Sequence, residues 1–381
     1  PARSAAMARP AAPSLDPQTV FFPLAAVYAA VSVPVSVFAM AYGSWPPLLG
    51  SPAAHGLELL IGYFLAVIAG FLLPAGPGTA GTAALAGLWL AGRAAAWGWP
   101  QPAMALNAAF AVAIVLTAAP RFLGGSRQWH STLFGLTLLA TGGTLATAAL
   151  ADGVLPPAWQ PGALVEAALL ASTVVVFLGG RVVAPATGGA WPTAERTGMA
   201  AVQPATEAVI LLGITAGAVL LPYHAPSAAV PVAAAGAAAL WRVFRWRPWT
   251  LRHQPDVQGL ITAHAWTGAG LLGLAVAWVA APLRAGTMLH VLLIGGLGTF
   301  GLHLMARIAL QRARQGVAGI RLLPVATVLL AVATLAQFAP GLIPVAVGLW
   351  SLAFVLVARL LFNLSRERWR AAFATGWFRR L

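Results

Sequence analysis

Cysteine and lysine are both missing from this sequence of 381 residues, and only eight carboxylates occur in it. The lack of cysteine removes disulfides, thiolate metal sites, iron–sulfur clusters and CxxCH haem attachment together. Any metal must therefore be held by His, Met, carboxylate or backbone oxygen. With no lysine, all 22 basic residues are arginine, and the formal net charge is +14. That surplus does not point to nucleic acid, because the arginines lie in short segments between apolar runs, where they read as topology signals. No Walker loop, HExxH pair or Ser-His-Asp order is present, so hydrolytic chemistry has no support. Abundant Ala and Gly beside a complete absence of Lys suggests a GC-rich bacterial genome.

What the chain does have is long apolar runs. It is 60% hydrophobic and 8% charged, with a mean hydropathy of +0.84, outside the range of soluble domains. The stretch LELLIGYFLAVIAGFLL, 57–73, is representative, and similar runs recur to Leu364. A bilayer core needs about 20 apolar residues in a helix, and runs of this length exclude barrel strands. The expected fold is an all-α polytopic membrane protein. Twelve spans are predicted: 18–42, 54–76, 79–98, 101–121, 129–151, 163–185, 200–222, 227–246, 256–279, 286–311, 319–339 and 342–364. They form one transmembrane domain, 18–364, between a short cytoplasmic segment, 1–17, without a signal-peptide core, and a basic tail, 365–381. With both termini cytoplasmic, nearly every arginine falls inside, including Arg121, Arg181, Arg242 and Arg307, while Arg284 lies outside and Arg93 near an outer helix end. That alternation is what the positive-inside rule requires. The tail, with Arg366, Arg370, Arg379 and Arg380 beside aromatics, reads equally as an amphipathic helix on the anionic leaflet or as a basic anchor. A weak internal echo links LLIGYFLAVIAGFLL, 59–73, with LLIGGLGTFGLHLM, 292–305.

Polar groups at membrane depth are costly and mark functional candidates. His55 and Glu58 open the second span at its outer end, three residues apart and so on one helix face. His290 enters the tenth span from the same side. His264 and His303 share an inner layer, His130 sits at the inner interface, and His224 and His253 belong to loops. Two stacked layers suggest a two-haem cytochrome, but 13 residues in a regular helix turn His303 about 140° from His290. A single outer haem or metal site at His55 and His290, with Glu58, is the simpler alternative, and hydrogen bonding between helices is the other. Glu166 and Glu207 lie near helix starts, Arg93 and Arg359 within snorkelling reach of an interface, and Gly179-Gly180-Arg181 reads as a helix stop.

Several of these stretches resemble one family, NnrS, bacterial membrane proteins of the nitric-oxide response. Its WHxHE motif leading into G[FY]xxAVIAGFLL corresponds to Ala54-His55-Gly56-Leu57-Glu58 and GYFLAVIAGFLL from Gly62. LWLAGR at 88–93, GGRVVAP at 179–185, MLHVLLIGGLGTFGLHLMARIAL at 288–310 and GLWSLAFVLVARLL near the end follow in the family's order. The resemblance covers nearly the whole chain. It implies twelve spans in the bacterial cytoplasmic membrane, haem b or copper as cofactor, nitric oxide or another diatomic as ligand, and His55, Glu58, His290 and Arg307 on family positions. The sequence also departs from the pattern: Leu57 replaces the second histidine of WHxHE, Ile261 falls where the family has a histidine, and His264 and His303 stand where it has Tyr and Gly.

The leading expectation is thus a membrane haem or copper protein handling nitric oxide near the outer face. His55, His290 and Glu58 are the metal candidates, His264 and His303 candidates for a second centre, and Arg93, Arg181 and Arg307 the topology and interface residues. The alternatives are an accessory subunit with membrane-protein partners and an eroded site, favoured by Leu57 and Ile261, and a transporter.

Overall fold

The structure, a computed structural model, describes residues 16–43, 49–73, 78–124, 129–150, 160–190, 203–252, 254–316 and 320–374. His253, Arg127, Arg196, residues 1–15 and the end of the basic tail lie outside the described residues. In chain order the long helices are α1 (Pro17–Tyr42), α2 (Pro52–Leu72), α3 (Gly78–Ala95), α4 (Pro100–Leu123), α5 (Trp129–Ala149), α6 (Gln160–Ala190), α7 (Pro204–Leu220), α8 (Ala225–Arg245), α9 (Pro255–Ala280), α10 (Pro282–Arg312), α11 (Leu322–Ala336) and α12 (Ile343–Ala374). No strand occurs among the described residues. Nine of these segments are long and apolar enough to cross a membrane; α7 and α11 are apolar but shorter, and α3 is rich in Gly and Thr. The protein is an all-α membrane protein.

Proline sets several helix starts. α1, α2, α4, α7 and α9 each begin on one, where the missing N–H would have been unpaired in any case and φ is already helical. Ser51 caps α2 by accepting from the Ala54 N–H at 3.1 Å. Pro34 inside α1 removes one rung of that helix, and in the turn before it Trp350 of α12 donates to the Ala29 carbonyl at 2.8 Å. That bond ties the last helix to the first.

Consecutive helices from α3 to α10 pack against one another, α11 packs on α12, and α12 returns to α1, which also holds α2. The most enclosed are α2, α6 and α10, each with 72% of its apolar window buried. Two boundaries differ from expectation. α6 does not stop at Gly179-Gly180 but runs on to Ala190, and α12 continues past 364 to Ala374, so the tail begins as helix. At Gly179 and Gly180 the missing side chains serve a different purpose: a Cβ there would overlap the His264 imidazole and the Arg242 guanidinium.

Candidate metal site

α2 and α10 are the two described helices that contain π-helical turns, at Glu58–Phe64 and Val291–Gly298. Both turns carry Leu-Leu-Ile-Gly, at 59–62 and 292–295, so the weak echo in the sequence coincides with a shared backbone irregularity. π turns inside α-helices are uncommon and concentrate at functional sites. They also loosen backbone carbonyls that lipid cannot satisfy. Here protein side chains take them: Trp89 Nε1 donates to the Gly62 carbonyl at 2.9 Å, and the Tyr63 hydroxyl to the Gly298 carbonyl at 3.2 Å. A Cβ on Gly301 would also meet the Tyr63 hydroxyl. Val67, a turn further along α2, lies 3.6 Å from the same Cβ position, so Tyr63 with Gly298 and Val67 with Gly301 rise together along both chains and α2 and α10 run parallel.

At the N-terminal ends of these two helices the structure brings His55 and His290 within electrostatic reach of each other. Each precedes its π turn by one to three residues. His55 Nδ1 lies 2.6 Å from Ser36 Oγ of α1. His290 Nδ1 lies 2.8 Å from the Gly286 carbonyl, one turn back in its own helix. Both side chains are partly buried.

Glu58 is engaged elsewhere. Its Oε2 pairs with Arg93 Nε at 3.0 Å and accepts from the Tyr28 hydroxyl, while Oε1 accepts from Asn107 Nδ2 at 2.8 Å. Arg93 also donates to the Asn107 side-chain oxygen, and its guanidinium carbon lies 5.3 Å and 5.5 Å from the Tyr28 and Trp89 ring centres. Arg93 therefore does not snorkel. Only 7% of it is exposed, because a carboxylate, an amide and two aromatic faces from α1, α2, α3 and α4 replace its hydration. No set of three or more His, Asp or Glu side chains placed to hold a metal occurs among the described residues. This end of α2 and α10 thus holds a histidine pair beside a separate ion-pair network.

His264 and His303 do not converge. His264 sits against Gly179 of α6 and edge-on to Trp246, with ring centres 4.8 Å apart and Nδ1 3.1 Å from the Leu260 carbonyl. His303 lies on Gly259 of α9, and its Nε2 is 2.8 Å from Thr327 Oγ1 of α11. The angle between His290 and His303 cannot be read from a regular helix, because the π turn lies between them and each inserted residue shifts it by about 100°. The observed partners settle which way each faces.

Three further arginines expected as topology markers are also paired. Arg181 binds both oxygens of Glu207 at 3.0 Å, and fully buried Arg242 binds the same carboxylate at 3.2 Å. Arg307 pairs with Asp256. Sequence reasoning missed Tyr28, Ser36, Asn107 and Arg242 as partners. The usable signals were weak: one amide and one tyrosine inside spans otherwise almost free of polar side chains, and an arginine a full turn before the end of its helix.

The family model described as NnrS protein matches residues 17–368. The chain belongs to the NnrS family. A search of curated proteins finds no match. The match runs from α1 into α12 and includes α2 and α10, whose parallel packing places the family-pattern residues His55 and His290 at one end of the bundle. In this NnrS chain the close-approach glycines are testable. Gly259→Ala or Gly180→Ala would press a methyl into a buried imidazole or guanidinium, at a cost of about 1–3 kcal/mol. The thermal midpoint of the detergent-purified protein should fall in both, while Gly143→Ala, whose Cβ would meet nothing within 4 Å, should leave it level or slightly raised. Equal midpoints for all three variants would contradict the packing described.

Proposed function

We propose that this NnrS protein is a twelve-span bacterial cytoplasmic-membrane protein of the nitric-oxide response that holds a haem iron or a copper ion between His55 and His290, near the outer face. The carrying observation is that two imidazoles at matching ends of the two π-containing helices lie within electrostatic reach of each other. The donor set fits such a group. Each Nδ1 is hydrogen-bonded, which leaves Nε2 as the metal donor, the arrangement usual for ligating histidines. Neutral imidazole suits both iron and copper, and no thiolate is required.

When bound, the metal would supply the capture of a diatomic ligand arriving through lipid or from the outer surface. The protein's own residues do the rest. His55 and His290 bind, Ser36 and Gly286 orient them, and the Glu58–Arg93–Asn107–Tyr28 network holds α2 to its neighbours. In this reading Glu58 is a scaffold residue, and His264 and His303 are packing groups set against glycines. The arginine distribution supports placing both termini in the cytoplasm. The inner side then includes Arg181 and Arg307 together with their carboxylate partners.

An absorption spectrum of the purified protein, oxidised and dithionite-reduced, with metal analysis of the same sample, tests the proposal. We expect a reduced b-type haem spectrum or stoichiometric copper, lost in His55→Ala and in His290→Ala and retained in His264→Ala. Protein purified without chelator and carrying neither chromophore nor metal would sink the reading.

A further inference from the structure

The hydrogen bonds around the histidine pair specify where each proton sits. Ser36 Oγ is fully buried in α1 and lies 2.9 Å from the Val33 carbonyl and 2.6 Å from His55 Nδ1. A hydroxyl has one proton, and a carbonyl can only accept. If Ser36 gave its proton to His55, two acceptor oxygens would face each other at 2.9 Å with nothing between them. If Ser36 donates to Val33, its oxygen is left to accept, and His55 must carry its proton on Nδ1. Only the second arrangement satisfies every contact. His290 is fixed the same way by a different device: its Nδ1 faces the Gly286 carbonyl at 2.8 Å, so it too must be the protonated nitrogen.

We propose that Ser36 is a positioning residue that locks His55 in its Nδ1–H tautomer and ring orientation, so that His55 and His290 both present an unprotonated Nε2 to one shared metal. The metal part of this inference rests on the reading of His55 and His290 as ligands. The tautomer part does not.

The two locks differ in what mutation can reach. The His290 lock is backbone from its own helix, and no side-chain change removes it. The His55 lock comes from another helix and hangs on one hydroxyl. Ser36 follows Pro34 by two residues, and the Ala29 carbonyl taken by Trp350 lies in the turn before Pro34.

The test joins two measurements on metal-free and copper(I)-titrated protein in lipid nanodiscs. In ¹⁵N-histidine-labelled protein, with the His55 signals identified by their loss in His55→Ala, the wild type should show His55 protonated on Nδ1. Ser36→Ala should show a mixed tautomer at His55 and an unchanged His290. Competition with a chromogenic copper(I) chelator should give an affinity about 10–100-fold lower in Ser36→Ala, largely recovered in Ser36→Thr. Metal-free thermal midpoints of the three proteins should agree to a few degrees, which separates positioning from folding. A wild-type His55 protonated on Nε2, or a tautomer unmoved by Ser36→Ala, overturns the proposal. So does an unaltered affinity in Ser36→Ala when His55→Ala and His290→Ala abolish binding. Unchanged copper binding in both histidine variants overturns the ligand reading instead, and with it the role of Ser36 toward metal.

Discussion

Glu207→Gln is expected to be among the most damaging single substitutions in this protein. The change keeps the shape of the side chain and removes its charge. Arg181 and Arg242, which both bind that carboxylate, then lose the charge that Glu207 supplies, and Arg242 has no exposed surface from which to reach water. Removing one partner from a buried ion pair costs about 3–5 kcal/mol, because the remaining charge is left uncompensated. The detergent-purified variant should melt well below wild type and inactivate faster at a fixed temperature. It should do so without a direct change in the His55–His290 pair. A midpoint equal to wild type would mean that the triad does not carry the charge balance described.

The second large effect concerns Glu58, where the outcome separates a ligand from a scaffold. Glu58→Leu leaves Arg93 buried against Tyr28, Trp89 and Asn107 without its carboxylate, at a similar cost of about 3–5 kcal/mol. Glu58→Leu combined with Arg93→Met removes both charges and should recover much of the stability, since a buried pair replaced by apolar groups is often neutral. A double-mutant cycle reads the coupling directly. Metal content of the double variant then decides the role of the carboxylate. If Glu58 is scaffold, the stabilised double variant binds metal as wild type does. If it is a ligand, binding stays lost after the fold is restored.

The helical membrane architecture was legible in the sequence because apolar runs of this length have few other stable forms. The approximate positions of the twelve long helices among the described residues were legible too, since the connecting segments collect arginine, proline and glycine. Arg93 shows where that reasoning stopped. Distance from a helix end gives depth, and depth alone suggested snorkelling. Which way an arginine points around its helix depends on a partner 35 residues away in sequence, here Glu58. Gly179-Gly180 shows the same limit, because a glycine pair reads as a stop until the imidazole and guanidinium that occupy its space are visible. The grouping of His55 with His290 was reached from depth and from the family pattern. The placing of Ser36 beside His55 was not, because one hydroxyl among several in α1 carries no periodic signal.

The π turns of α2 and α10 have a consequence for counting. Each holds a residue that a regular helix would not need, so these segments behave as insertions retained inside intact helices. Deleting one residue within 292–298 would restore regular pitch and swing His290 by about 100° relative to Thr299–Arg312. The composition and hydropathy of α10 would hardly change, and the span would remain. The lost quantity would be phase: the angular agreement between two parallel helices that lets one end of each address the same point.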